Sequence, residues 1–104
     1  MDHVTDRAYL HDANVESVEI DAVNRVLRVR MNRYESPDSR QRIPATIEFK
    51  NDQSFSGTLN LMELVSHARF GNVADWEPSM GFGLSYLYFA RGVFSVHSDE
   101  PVIL

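Results

Sequence analysis

The chain has 104 residues, no cysteine and a formal net charge of −5, which predicts one domain over residues 1–104 without disulfides or thiolate metal sites. The acidic balance argues against nucleic acid as a partner, because phosphate binding depends on clustered Lys and Arg. No apolar run is long enough to span a membrane and the polar N-terminus lacks the features of a signal peptide, so we expect a cytoplasmic protein.

The first predicted hairpin joins strands over residues 15–22 and 25–33, folded about Val23-Asn24. Folding there places apolar residues opposite one another on one face and acid opposite base on the other, which specifies a register. The expected pairs are Ile20–Leu27, Val18–Val29, Glu19–Arg28 and Ser17–Arg30. Since Glu19 would neutralise Arg28, we interpret the arginine-rich face as a solvated, salt-bridged surface rather than a binding site.

The second predicted hairpin joins residues 43–50 to residues 55–61. A three-residue connection, Asn51-Asp52-Gln53, opposes Phe49 to Phe55 and keeps the apolar residues of both strands on one face. A two-residue turn would mix the faces, so we prefer the longer connection. Pro44 cannot donate to a ladder and therefore predicts an edge or the beginning of a strand.

One helix is predicted after this hairpin. Asn60 can cap it and Glu63 lies three residues on, as in a capping box. An apolar stripe follows over residues 61–68, and Gly71-Asn72 supplies the end of the helix. We expect this helix to lie across the sheet and to cover part of its apolar face.

The last predicted hairpin covers residues 84–98 and turns at Arg91-Gly92. Its expected pairs are Phe89–Phe94 and Leu87–Val96 on an apolar face, and Tyr88–Ser95 and Tyr86–His97 on the other. Together the elements predict an α+β fold, with a mainly antiparallel sheet of about six strands in three hairpins and one short amphipathic helix. The alternative is a small β-barrel or roll formed by curling the same sheet.

The sequence contains none of the common catalytic motifs. It has no G-x-S-x-G, no H-E-x-x-H and no cysteine nucleophile, and Gly81-Phe82-Gly83 lacks the lysine of a phosphate loop. We therefore expect a protein that is not an enzyme, with no cofactor and no metal. A small-ligand or metal-binding domain that uses His11, His97 and nearby carboxylates is the alternative, although the histidines are scattered.

Aromatic and methionine residues near the Gly-rich loop form the candidate contact region, because such side chains suit protein interfaces. The predicted contact residues are Trp76, Met80, Phe82, Tyr86, Tyr88 and His97. They predict a non-enzymatic binding protein, and the acidic charge favours a basic protein partner. A second alternative is a self-associating module in which an edge strand or the Tyr face forms a homodimer.

Two short motifs carry a resemblance to a known group. The opening His11-Asp12-Ala13-Asn14-Val15 and the later Gly71-Asn72-Val73 resemble motifs of small bacterial proteins that include immunity proteins of polymorphic toxin systems. In that group an H-D-[AS]-x-[LV] opening starts a β-rich domain and a G-N-[VI] turn follows the middle strands. The resemblance implies inhibition of a cognate toxin by occlusion, and it carries over no catalytic residues.

Overall fold

The computed structural model describes residues 10–36, 38–58, 73–89 and 92–104, and every regular element among them is a β-strand. The strands are β1 (Asn14–Asp21), β2 (Val26–Tyr34), β3 (Arg42–Lys50), β4 (Ser54–Thr58), β5 (Val73–Glu77), β6 (Gly83–Phe89), β7 (Gly92–Ser98) and β8 (Val102–Ile103). A first sheet has the order β1-β2-β3-β8 and a second sheet has the order β4-β7-β6-β5. All pairings in both sheets are antiparallel.

The α+β class predicted from the sequence is wrong, because two sheets of four strands replace the single sheet of about six. The apolar face that the helix was expected to cover meets the apolar face of the other sheet instead. The predicted helix over residues 60–69 lies outside the described residues. Within the described part of the chain there is no helix that could cross a membrane.

The first hairpin confirms the sequence-based register. Its observed partners are Ile20–Leu27, Val18–Val29, Glu19–Arg28 and Ser17–Arg30. A bulge between Val15 and Ser17, which the alternation did not predict, shifts the ladder at the beginning of β1. In the turn, the backbone and side chain of Asn24 donate hydrogen bonds to the carboxylate of Asp21 at 3.1 and 2.9 Å, and these bonds lower the pKa of Asp21.

The second hairpin does not form. Strand β3 pairs with β2 and β8, whereas β4 pairs with β7, so residues 51–53 carry the chain from one sheet to the other. Phe49 and Phe55 therefore belong to different sheets. The alternation of apolar and polar residues in β3 and β4 predicted a hairpin. It fits a crossing from one sheet to the other equally well, because the inner faces of both sheets are apolar. Pro44 lies three positions into β3, opposite Asn32 and beyond the part of β3 that pairs with β8.

The last hairpin forms with a register shifted by two residues from the predicted one. Leu87 lies opposite Phe94 and Tyr86 lies opposite Ser95, while Leu84 rather than Tyr86 faces His97. A shift of two keeps every side chain on its predicted face, because strand side chains alternate with a period of two. The inner and outer faces of this hairpin were therefore predicted correctly although the pairs were not.

Both sheets contribute to one buried core. Phe49 of the first sheet and Trp76 of the second meet edge to face, with ring centroids 6.2 Å apart. The buried apolar residues are Leu10, Ala13, Val15, Leu27, Val29, Met31, Ala45, Ile47, Phe49, Val73, Trp76, Leu87, Phe89, Phe94 and Val96. Such a continuous apolar layer between sheets is the main source of stability in a domain of this size.

Backbone hydrogen bonds also join the two sheets at both sides of the core. On one side, the N–H of Gln53 donates to the carbonyl oxygen of His97, and the N–H of Asp99 donates to that of Lys50. On the other side, the N–H of Val73 donates to the carbonyl oxygen of Ala13 at 2.9 Å. The outer face of β6 and β7 is therefore presented by a framework that is fixed along both of its sides.

Candidate functional site

The outer face of the second sheet combines aromatic, hydroxyl and acidic side chains. The register places three rows across it: Glu77, Tyr86, Ser95 and Ser56; Asp75, Tyr88, Val93 and Thr58; and Leu84, His97 and Ser54. The Ser56 and Ser95 hydroxyls lie 3.1 Å apart across two strands. Two of the apolar members, Leu84 and Val93, are exposed. The face therefore has the mixed aromatic and polar character that protein interfaces share.

The loop between β5 and β6 is held by three hydrogen bonds. The N–H of Gly81 donates to Oε1 of Glu100 at 2.7 Å, and the N–H of Ser79 donates to the hydroxyl oxygen of Ser85 at 2.9 Å. The Ser79 hydroxyl in turn donates to the carbonyl oxygen of Gly81 at 2.7 Å. Gly81 has a φ of 88°, a conformation that glycine adopts without strain. These contacts fix the backbone on both sides of Met80.

This anchored loop presents two apolar side chains to solvent. Met80 is 84% exposed and Phe82 is 52% exposed. The Phe82 ring packs against the imidazole of His97 with centroids 4.7 Å apart, which connects the loop to the outer face. Burying such side chains against a partner removes apolar area from water at about 25 cal/mol per Å². Their exposure on a fixed backbone is what an interface anchor requires.

Tyr86 and Tyr88 form the centre of the face. Their rings stack with centroids 5.8 Å apart and planes 17° apart. The Tyr88 hydroxyl donates to Oε2 of Glu77 at 3.0 Å, and this hydrogen bond raises the pKa of Tyr88. Both tyrosines are half-buried, so their rings are fixed while part of their area is accessible.

Trp76, by contrast, cannot contribute to a contact surface. The strand β5 directs it inward, opposite Leu87, and it is 0% exposed. Trp76, which the sequence placed in the contact region, therefore belongs to the core instead. The other five predicted residues (Met80, Phe82, Tyr86, Tyr88 and His97) lie on the outer face or on the loop at its end. Two residues that the sequence did not single out belong to the same region. Leu84 is exposed beside His97, and Glu100 accepts the hydrogen bond that holds the loop.

Among the described residues, basic side chains are confined to one part of the chain, whereas acidic side chains occur throughout it. The described Lys and Arg residues all lie at positions 25 to 50, in β2, β3 and the turns beside them. The described residues from position 51 onward include the acids Asp52, Asp75, Glu77, Asp99 and Glu100 but no Lys or Arg. Arg69 and Arg91 lie outside the described residues. The candidate face therefore belongs to a part of the structure whose described charges are acidic.

The outer face of the first sheet pairs its own charges. Arg28 Nε lies 2.8 Å from Glu48, and Arg30 Nε lies 3.2 Å from Glu19. Glu19 thus lies opposite Arg28 in the ladder but pairs with Arg30. The predicted salt-bridged face is confirmed with different partners. Because Arg28 and Arg30 already contact carboxylates, the outer face of the first sheet is a poor candidate for binding an acidic partner.

The two histidines proposed for a ligand or metal site have separate surroundings. His11 lies 3.5 Å from the carboxylate of Asp12 and 3.3 Å from the carbonyl oxygen of Ala74, whereas His97 packs on Phe82. Among the described residues no group of three or more His, Cys, Asp or Glu side chains could hold a metal ion. The geometry therefore offers the metal-binding alternative no support in the described part of the chain.

Comparison of the chain with protein-family models, with curated proteins and with solved structures found no match. Of the two motifs that carry the immunity-protein resemblance, the structure describes residues 11–15 of the first and Val73 of the second, and hydrogen bonds join these described parts. The N–H of Asp12 donates to the carbonyl oxygen of Val73, and the N–H of Val73 donates to that of Ala13. These two hydrogen bonds join the residues just before β1 to the first residue of β5.

Proposed function

We propose that the protein is a non-enzymatic binding module that contacts a basic protein partner through the contact patch, defined as Met80, Phe82, Leu84, Tyr86, Tyr88 and His97. The observation that carries this proposal is the loop of residues 79–83. Its backbone is held by hydrogen bonds to Ser85 and Glu100, while Met80 is exposed to solvent and Phe82, whose ring packs on His97, is half exposed.

Preorganisation is the physical reason for preferring this loop as a contact. Binding normally loses free energy in ordering loops and side chains at the interface. A backbone already fixed by hydrogen bonds avoids most of that loss. Met80 adds a flexible, polarizable side chain that adapts to the shape of a partner, and Phe82 adds rigid aromatic area. Both residue types are enriched in the buried core of protein interfaces.

The charge of the surrounding surface favours a basic partner. Glu77 lies in the same row as Tyr86, and Glu100 bonds the loop itself, while no described Lys or Arg lies in this part of the chain. Acidic side chains around the contact patch accelerate association with a basic surface and disfavour binding of acidic proteins. The more specific form of the proposal is an immunity-like inhibitor that occludes a basic toxin domain, as the motif resemblance implies.

Affinity capture from the native host tests the proposal. The bait proteins are the wild type, a patch variant carrying Met80→Asp and Phe82→Asp, and a control variant carrying Ile20→Asp and Val23→Asp. Ile20 and Val23 are exposed by 61% and 92% and lie at the tip of the first hairpin, far along the chain from the patch. The control therefore matches the change in charge and hydrophobicity.

We expect the wild type and the control variant to recover one protein with a basic domain, and the patch variant to lose it. Recovery should weaken as salt is raised, because charge complementarity is screened. Equal capture by all three baits would place the interface elsewhere. Turnover of a substrate by the purified protein would contradict a binding role outright.

A further inference from the structure

Three of the four edges of the two described sheets carry features that disfavour pairing with another chain. Strand β1 has a bulge between Val15 and Ser17 and three acidic side chains. Strand β5 has a bulge between Val73 and Asp75, and its backbone at Val73 bonds to residues 12 and 13. Strand β8 has two residues, and β3 beyond it contains Pro44. Bulges, charges, proline and short strands are the usual protection of sheet edges.

The edge strand β4 has none of these protections within the described residues. It reads Ser54-Phe55-Ser56-Gly57-Thr58, and it contains no charge, no proline and no bulge in its pairing with β7. All five residues are exposed. No described strand pairs with its outer side. An exposed and neutral edge of this kind is a template for strand addition.

The sequence of β4 is complementary to itself. In an antiparallel pair of β4 strands centred on Ser56, Ser54 lies opposite Thr58 and Phe55 lies opposite Gly57, twice by symmetry. An aromatic ring opposite an edge glycine covers backbone that has no side chain of its own. Phe55 lies on the inner face and packs edge to face on Phe94 of the same chain, with centroids 5.2 Å apart, and its 40% exposure leaves part of the ring accessible to a partner. The hydroxyl residues meet on the outer face, where cross-strand Ser and Thr pairs are favourable.

We propose that two copies of the chain associate through β4, in the register centred on Ser56, to form a continuous eight-stranded sheet. A neutral strand allows two copies with a net charge of −5 to meet without direct charge repulsion at the contact. A five-residue strand pair buries less area than the roughly 1,200 Å² of a stable interface. The dimer is therefore weak and reversible.

Light scattering coupled to sizing chromatography tests the association over a range of protein concentrations. The wild type should show an average mass that rises with concentration, and the rise should become steeper in salt because the net negative charges are screened. Ser56→Lys places two lysines opposite each other and should weaken the dimer by roughly fivefold or more. The matched control is Val23→Lys, which adds the same charge at an exposed turn and should behave as the wild type.

Oxidative crosslinking tests the register. The natural chain has no cysteine, so Ser56→Cys introduces a single thiol at the proposed symmetry axis. Opposed Cα atoms of an antiparallel pair lie within the distance that a disulfide spans. Ser56→Cys should therefore form a covalent dimer far faster than Val23→Cys at equal concentration. A wild type that stays monomeric at high concentration overturns the proposal, and so does a dimer that neither Ser56 substitution affects.

Discussion

Phe49 and Trp76 come from opposite sheets and meet edge to face at the centre of the core, with planes 75° apart. Phe49 is the penultimate residue of β3, two residues before the crossing to the second sheet, and Trp76 lies on the edge strand β5. The pair therefore packs β3 of the first sheet against β5, the edge strand of the second sheet that lies furthest from β4. This contact fixes the position of the framework that presents the contact patch.

The first prediction concerns the stability that Trp76 provides. Trp76→Ala should lower the free energy of unfolding by about 3–5 kcal/mol, because it leaves a large cavity between the sheets. Phe82→Ala should change it by less than about 1 kcal/mol, because Phe82 is half exposed. Urea unfolding followed by far-ultraviolet circular dichroism gives both values. Similar losses for the two variants would mean that Trp76 does not hold the core together.

The second prediction concerns pH. Burial raises the pKa of Asp52 to about 6, with Arg25 opposing and Asp99 adding to the shift. The folded form therefore binds this proton more tightly than the unfolded form, and stability falls as pH rises from about 4 to 6. Asp52→Asn should raise the melting temperature above pH 6 and should have much less effect near pH 4. Because Asp52 is partly exposed, the gain should be about 1 kcal/mol or less.

Asp38→Asn is the matched control for this pH effect, because it removes the same charge from an exposed loop position. Its melting temperature should follow that of the wild type across the same pH range. The buried Oδ1 of Asp52 accepts no hydrogen bond from a described residue, which is consistent with a carboxyl that is better tolerated when neutral. Stabilisation of Asp52→Asn that is equal at pH 4 and pH 8 would contradict this explanation.

The third prediction uses two glycines with different surroundings. A Cβ atom at Gly57 would lie 2.6 Å from the carbonyl oxygen of Val93 and 2.8 Å from the Cα of Phe94. Because both neighbours are backbone atoms, Gly57→Ala should cost about 1–3 kcal/mol. At Gly83 the nearest atom is the Cβ of Ser79 at 3.6 Å, an ordinary contact, so Gly83→Ala should be nearly neutral. Thermal unfolding of both variants measures the two losses in stability. If Gly57→Ala is as stable as the wild type, β4 must lie further from β7 than the structure places it.

The fourth prediction separates two ion pairs of the first sheet. Glu48 is nearly buried and receives a 2.8 Å hydrogen bond from Arg28, whereas Glu19 and Arg30 are about half exposed. Glu48→Ala should therefore cost about 1–3 kcal/mol and Glu19→Ala less than about 1 kcal/mol. Added salt should remove the loss of stability in Glu19→Ala, because that pair is exposed, and should leave most of the loss in Glu48→Ala. Chemical denaturation at two salt concentrations measures both, and equal losses would contradict the difference in burial.

Local pattern predicted the faces of the strands but not the sheets to which they belong. The register of β1 with β2 followed from matched apolar and charged pairs, and the faces of β6 and β7 followed from alternation. The crossing at residues 51–53 could not be recognised, because alternation reports which face is inward and both inner faces are apolar. The division into two sheets is a long-range property that no short segment encodes.

The contact patch was predictable in part for the same reason. Alternation placed Tyr86, Tyr88 and His97 on one face, and by the same phase it places Leu84 there too. The burial of Trp76 was missed because β5 is short and its bulge interrupts the alternation that would have revealed a strand. The bond from Gly81 to Glu100 joins residues 19 positions apart, and nothing in the local sequence indicates it.

If the anchored loop of residues 79–83 supplies the main binding contacts, calorimetric titration of the captured partner will show it most directly. The dissociation constants of the wild type, Met80→Ala, Phe82→Ala and the exposed control Val23→Ala are compared. Met80→Ala and Phe82→Ala should each weaken binding about tenfold or more, equivalent to at least about 1.4 kcal/mol, while Val23→Ala should leave the affinity unchanged. Unchanged affinity in both loop variants, or an equal loss in Val23→Ala, would contradict it.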